Sequence, residues 1–270
     1  MDESLRRYLQ SRISLGEPEI VFRDLDRRTA RRRVRRLARH GPVARRSPSA
    51  SRGPSVPAEE VERLSRQGTR EEILDLPDMA TLADVAEGCV RCPLHETRKQ
   101  VVFGEGDPGA SVVCVGEAPG AREDETGRPF VGPAGKLLDR LLQSVGFARS
   151  EVYICNVLKS RPPDNRDPRP EEVEACSPYL LRQIELIDPE VIVAFGAFAS
   201  RTLLGVSDTL GRLRGRTHLY EGYPLVVTYH PAALLRNRSW TRPSWEDLQL
   251  VRRIVEGEAG SDAARQLGLV

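Results

Sequence analysis

One glycine-rich loop, an asparagine and a histidine in this chain have the types and spacing for chemistry on a flat, polar ligand. In the loop 116–135, GEAPGAREDETGRPFVGPAG, a glycine turn opens at Gly116, carboxylates stand at Glu117, Glu123 and Asp124, and one aromatic, Phe130, lies between Pro129 and Gly132. Glycine lets backbone amides approach a ligand closely. A carboxylate can orient water or steady a cation, and an aromatic ring in a polar loop offers a stacking face. Asn156 carries a carbonyl acceptor and an amide donor, the pair needed to read adjacent C=O and N–H groups on a planar base. His230 can donate to an oxygen on which charge develops, and one such preorganised donor is worth about 3 kcal/mol. Together these residues describe a base-binding active site.

Such side chains need strands to bring them together. Residues 111–115, 152–156, 191–196 and 225–229 are short apolar runs that read as buried strands, and helical patterns fill the intervals near 134–145, 170–187, 198–204 and 244–256. This alternation predicts a three-layer α/β/α fold around a mainly parallel sheet. Ligands of such sheets bind at the carboxyl ends of the strands. Gly116, Asn156 and His230 all follow or end predicted strands, so they gather on one edge.

Charge divides the chain. Residues 1–58 hold 15 Arg, no Lys and 6 acids, a net of +9, whereas 59–270 hold 26 basic and 33 acidic residues, a net of −7. Eight arginines fall within 27–39, and 41–57 are rich in Ser, Pro, Gly and Arg. Such a composition buries too little apolar surface to fold alone. Residues 1–75 are therefore expected to form a largely disordered basic arm, helical over 24–39, that is either a solvated extension or a tether neutralising nucleic-acid phosphates. Residues 76–258 form the expected folded domain and 259–270 a tail. The N-terminus lacks the apolar core of a targeting signal. The longest apolar stretch, 191–199, is far short of the roughly 20 residues that span a bilayer. The expectation is a cytoplasmic or nucleoid-associated monomer with no membrane partner.

Five cysteines in a cytoplasmic chain are poor disulfide candidates. Cys89-Val90-Arg91-Cys92 has a spacing shared by zinc, iron-sulfur and redox sites. Cys176 opens a later helix, and Cys114, mid-strand, reads as a small core residue.

Over residues 82–255 the chain resembles the iron-sulfur uracil-DNA glycosylases of family 4. The resemblance is carried by Cys89-x-x-Cys92-Pro-Leu, Gly116-Glu-Ala-Pro-Gly120 with Glu123 and Asp124, Gly127-Arg-Pro-Phe-Val-Gly132, Asn156-Val-Leu-Lys159 with Arg161-Pro-Pro, Glu174-Ala-Cys176 and His230-Pro-Ala. It implies the uracil-glycosylase α/β fold, uracil-containing DNA as partner, and hydrolysis that leaves an abasic site. It also implies a structural 4Fe-4S cluster held by four cysteines, three of which match Cys89, Cys92 and Cys176. The fourth position falls on Ser160, whose oxygen is a harder ligand than thiolate. Three arrangements are open: Ser160 ligates as an alkoxide, Cys155 substitutes after a local shift, or the cluster is held by three residues or absent.

The resemblance also assigns roles. Phe130 stacks on a base flipped from the duplex, Gly116 and Asn156 line its edge, and His230 stabilises charge on uracil O2. Glu117 and Glu123 are the water-positioning and pocket carboxylates, Glu117 being favoured for the water and Glu123 for excluding the thymine methyl group. Lys159, Arg161 and Arg166 fit phosphate contacts. Leu234 or Leu235 fills the gap left in the stack, with Arg236 on a phosphate. Two other readings stand beside this one: a glycosylase for another deaminated base, and a non-catalytic nucleic-acid-binding lesion sensor.

Overall fold

The structure is a computed structural model of the chain, and it describes residues 56–257. The arginine-rich stretch 27–39, the helix expected over 24–39 and the tail 259–270 lie outside the described residues. Six strands, β1 (Glu105–Gly106), β2 (Val112–Gly116), β3 (Tyr153–Asn156), β4 (Val191–Phe195), β5 (Thr217–Tyr220) and β6 (Tyr223–Thr228), form one sheet in the order β1-β3-β2-β4-β6-β5. β2 pairs in parallel with β3 and β4, and β4 with β6, while β1 and β5 close the edges antiparallel. Every residue of β2, β3 and β4 is buried, which is why these strands read as continuous apolar runs. The edge strands give no such signal: β1 is two residues long, and β5 sets His218 beside Thr217 and Leu219.

Helices α1 (Ala58–Gln67), α2 (Arg70–Leu74) and α3 (Met79–Glu87) precede the sheet. Between β2 and β3 come α4 (Ala121–Thr126) and α5 (Pro133–Ser144); α6 (Pro170–Ile187) joins β3 to β4. After β4 come α7 (Gly196–Leu204) and α8 (Leu210–Leu213), and after β6 come α9 (Pro231–Arg236) and α10 (Thr241–Val255). Alternate strand residues face opposite layers. Val113, Val115, Ile192 and Ala194 pack with Leu180 and Ile184 of α6 and Leu203 of α7. Val112, Cys114, Val193 and Phe195 pack with Leu138 and Leu142 of α5 and Leu248 of α10. This is the expected three-layer arrangement. The chain leaves β2 for one layer and its neighbours β3 and β4 for the other, which opens a crevice at their carboxyl ends.

The folded body begins earlier than composition suggests. Residues 58–75, included in the expected arm, form α1 and α2, whose Leu64 and Ile73 pack with Leu82 and Val85 of α3 and Tyr179 of α6. Thr69 and Glu72 close a capping box on α2, and Arg182 Nε donates to the Leu76 carbonyl at 2.8 Å. The apolar stripe of a short amphipathic helix is outvoted by its charged face in a composition count. Among the described residues, no helix is long and apolar enough to cross a membrane.

Candidate active site and metal cavity

The register pairs Gly116 with Asn156 across β2 and β3. Beyond the sheet, the amides of Val157 and Leu158 still donate to the carbonyls of Gly116 and Glu117, each at 3.0 Å, so the two loops leave together. A Cβ on Gly116 would run into Asn156 Oδ1 and lie 2.6 Å from Phe130 Cζ. Glycine is what lets the amide and the ring meet there.

Phe130 occupies the left-handed region, φ 51°, which costs a non-glycine residue about 1–3 kcal/mol. Its neighbours impose that geometry. Arg149 donates to the carbonyls of Pro129 at 2.6 Å and Phe130 at 3.3 Å, while paired with Glu105 at 2.7 Å and Asp139 at 2.9 Å. Glu123 Oε1 accepts the amides of Val131 at 3.0 Å and Gly132 at 3.1 Å. Gly135 carries no side chain where a Cβ would collide with the Phe130 backbone. The ring then stacks on His230, with centroids 5.4 Å apart and planes at 30°.

His230 caps α9, its Nδ1 accepting the Ala232 N–H at 3.2 Å. With Nδ1 an acceptor, the neutral ring carries its proton on Nε2 and is a donor there. Burial, aided by Arg236, pulls the imidazole down to about 4, against the opposing pull of Glu123. The donor is therefore neutral at physiological pH. Gly196 makes room for it: its φ is +91°, and a Cβ there would lie 3.0 Å from His230 Cβ. Burial, with Asp167 adding repulsion, pushes the Glu117 carboxyl up to about 7, where a general base works best near neutrality. Glu117 is thus poised to take a proton, while Glu123 is engaged in holding the Phe130 loop.

The DNA-contact expectations divide. Lys159 is buried at 3% exposure, and its ammonium donates to the Asn156 carbonyl at 2.8 Å and Gln183 Oε1 at 2.6 Å. It is not placed to meet a phosphate but fixes the end of β3, and burial lowers its pKa. Its place among arginines and prolines made it read as a surface residue, because its acceptors are remote in sequence or backbone. Arg161 donates to Asn165 Oδ1 at 2.9 Å. Arg166 grips the buried Glu172 with both arms, at 2.9 and 2.5 Å. Leu234 is 1% exposed and packed in the core, so Leu235, 50% exposed, is the leucine available as a wedge, with Arg236 exposed beside it. Sequence reading passed over Arg149, Gly135 and Gly196. The two glycines carried a weak signal as helix-start punctuation; Arg149 carried none.

Cys89, Cys92, Cys176 and Ser160 line one small cavity beside α6. Cys155 instead lies in the core with Tyr153 and Val157, and of the two expected alternatives only Ser160 lines the cavity. Ser160 Oγ accepts from Arg98 Nη1 at 3.1 Å, Arg98 Nη2 donates to the Cys89 carbonyl at 2.7 Å, and the Lys159 amide donates to Cys176 Sγ at 3.2 Å. Burial pushes the Cys92 thiol up and the Cys176 thiol to about 12, so an occupant must bind thiolate strongly enough to displace the protons. On the same wall the buried Tyr179 hydroxyl lies beside the Cys89 thiol, a donor that would serve a thiolate there. Among the described residues no three His, Cys, Asp or Glu converge tightly enough for a single ion. Three thiols and a hydroxyl on one wall are the donor types of a thiolate-bound centre, with the hydroxyl the harder ligand.

A model of the uracil DNA glycosylase superfamily matches residues 103–249. Type-4 uracil-DNA glycosylases from Thermotoga maritima, Pyrobaculum aerophilum and Archaeoglobus fulgidus are 45%, 44% and 47% identical to the chain. These matches cover 70%, 64% and 58% of this chain and 98%, 92% and 84% of the respective relatives. With its pocket at the carboxyl ends of β2, β3 and β6 and relatives it spans almost end to end, the chain belongs to the uracil-DNA glycosylase superfamily, among the type-4 uracil-DNA glycosylases.

Proposed function

We propose that this chain hydrolyses the N-glycosidic bond of deoxyuridine flipped out of DNA, leaving an abasic site for base excision repair. The observation that carries the reading is the meeting of Asn156, Phe130 and His230 around Gly116. Phe130 supplies a face for the base, and Asn156 reads N3–H and O4, which disfavours cytosine. As the N1–C1′ bond breaks, its electron pair stays with uracil, and the neutral His230 donates from Nε2 to the oxygen that gathers the charge, the kind of preorganised contact that typically carries the largest share of catalysis. Glu117 orients a water whose oxygen bonds to C1′ and takes up the proton released. Arg161 and Arg236 are the phosphate partners, with Leu235 as the wedge.

Single-turnover release of uracil from a uracil-containing oligonucleotide tests this. Asn156→Ala should slow release by about 10²–10³-fold with a much smaller effect on DNA binding. Equal losses of both would reduce Asn156 to a folding role, and no release by the parent chain would remove the reading.

On the same reading the cavity would hold a 4Fe-4S cluster through Cys89, Cys92 and Cys176, with Ser160 the remaining oxygen donor on its wall. When bound, the cluster supplies a structural cross-link between the segment after α3, the loop after β3 and α6. Iron and sulfide analysis of anaerobically purified protein tests it, beside Ser160→Cys, which should retain iron longer in air. Iron-free protein would remove the assignment.

A further inference from the structure

Four large apolar side chains stand exposed among the described residues: Val206, Leu235, Trp240 and Trp245. Three of them fall within residues 235–245, which also carry Arg236, Arg238 and Arg242. Trp240 lies flat on Tyr229, with centroids 4.7 Å apart and planes at 6°, and Tyr229 immediately precedes His230. This surface is therefore continuous with the strand end that bears the catalytic donor. Beyond it, Leu137 and Leu141 of α5 and Trp245 of α10 floor an open groove of about 700 Å³, rimmed by Arg140, Arg238 and Arg242. Among the described residues, the acid that pairs with this rim is Glu246, 3.2 Å from Arg242 across two exposed side chains, an interaction of little strength.

Aromatic faces with arginines interleaved, beside a net-acidic remainder, suit unpaired nucleic acid. Each base has a face to stack and each phosphate a charge to pair, whatever the sequence. Bases within a duplex have their faces covered by one another. An acidic peptide would meet the same charges, but only a DNA strand is led to the groove from the neighbouring pocket.

We propose that Trp240 and the Trp245 groove form a subsite for unpaired nucleotides flanking the flipped uridine, outside the catalytic pocket and the Leu235 wedge. Bases stack on the two indoles, and Arg140, Arg238 and Arg242 take the phosphates. The proposal rests on the glycosylase reading for the direction of the strand.

Trp240 and Trp245 are the chain's two tryptophans, so their emission reports the subsite directly. Titrating uracil-free oligothymidylate into the full chain should quench it, reversibly with added salt, and an equal length of duplex should quench it less. Trp245→Ala should weaken oligothymidylate binding about tenfold, and Trp245→Phe should recover most of that affinity. Uracil release from a long single strand should fall in parallel, while release from a uracil trinucleotide stays unchanged. Arg140→Ala, a substitution on the exposed rim, should show the same pattern if Trp245→Ala folds poorly. Unaltered binding in folded Trp245→Ala and Arg140→Ala overturns the subsite. Quenching by an acidic peptide but not by oligothymidylate overturns it in favour of a protein-docking groove. Quenching by oligothymidylate without uracil release from any DNA would keep the groove as a site for unpaired DNA and remove the glycosylase reading, and with it the flanking assignment.

Discussion

His230 and Glu117 divide the titration of the site between them, and burial is the main cause in both. The imidazole, held down to about 4, stays neutral, while the carboxyl, pushed up to about 7, changes charge in the working range. Single-turnover excision should therefore rise about tenfold per pH unit below 7 and level off above it. Glu117→Gln should lower the plateau by about 10²–10⁴-fold and abolish the slope; a slope that survives the substitution would give the titration to another group. The same raised pKa has a stability sign. Glu117 favours the folded state below the ordinary carboxylate range, and that contribution is lost as pH rises through 7. His230 acts the other way, its contribution being present above 6.5 and lost as pH falls through about 4. At this scale Gly116, Phe130, Asn156 and His230 were legible in the sequence because each is an unusual residue type for its local setting. Lys159 was misread as a surface cation because burial is set by partners such as Gln183, 24 residues away.

Strands and long helices announce themselves through apolar runs and period, so β2, β3, β4 and β6 and helices α5, α6, α7 and α10 are readable without coordinates. The pieces that place the catalytic groups are less so. α4 and α9 are six residues each, too short for a period to show, yet α4 presents Glu123 to the Phe130 loop and α9 fixes the His230 tautomer. The junction between β4 and α7 is a further case. A side chain at Gly196 would meet both an unfavourable φ and the His230 Cβ, so Gly196→Ala should cost about 1–3 kcal/mol, seen as a lower denaturant midpoint. It should also slow excision, by displacing the donor, more than it weakens DNA binding. Unchanged excision with lowered stability would show that the imidazole tolerates the shift.

Over the whole molecule the charges are separated along the chain: a net of +9 on residues 1–58 and −7 on the remainder. Removing residues 1–55 should weaken binding to uracil-free DNA at low salt. It should also make the fall of log affinity with log salt less steep, by about 0.9 for each phosphate that the segment neutralises. Identical salt slopes would make that segment irrelevant to DNA binding. The helices α1 and α2 were hidden from a composition reading, yet they pack on α3, which leads into Cys89 and Cys92. Between that cavity and the base pocket runs the five-residue stretch 156–160. Asn156 faces one site, Ser160 lines the other, and Lys159 reaches both, its ammonium on the Asn156 carbonyl and its amide on Cys176 Sγ. Two sites strung on one short, buried segment belong to a single cooperative opening unit, so neither is expected to be lost alone. On slow heating, the release of iron bound there as proposed and the loss of uracil release should follow one time course, and the enzyme should fail by a single step rather than by gradual loss of accuracy.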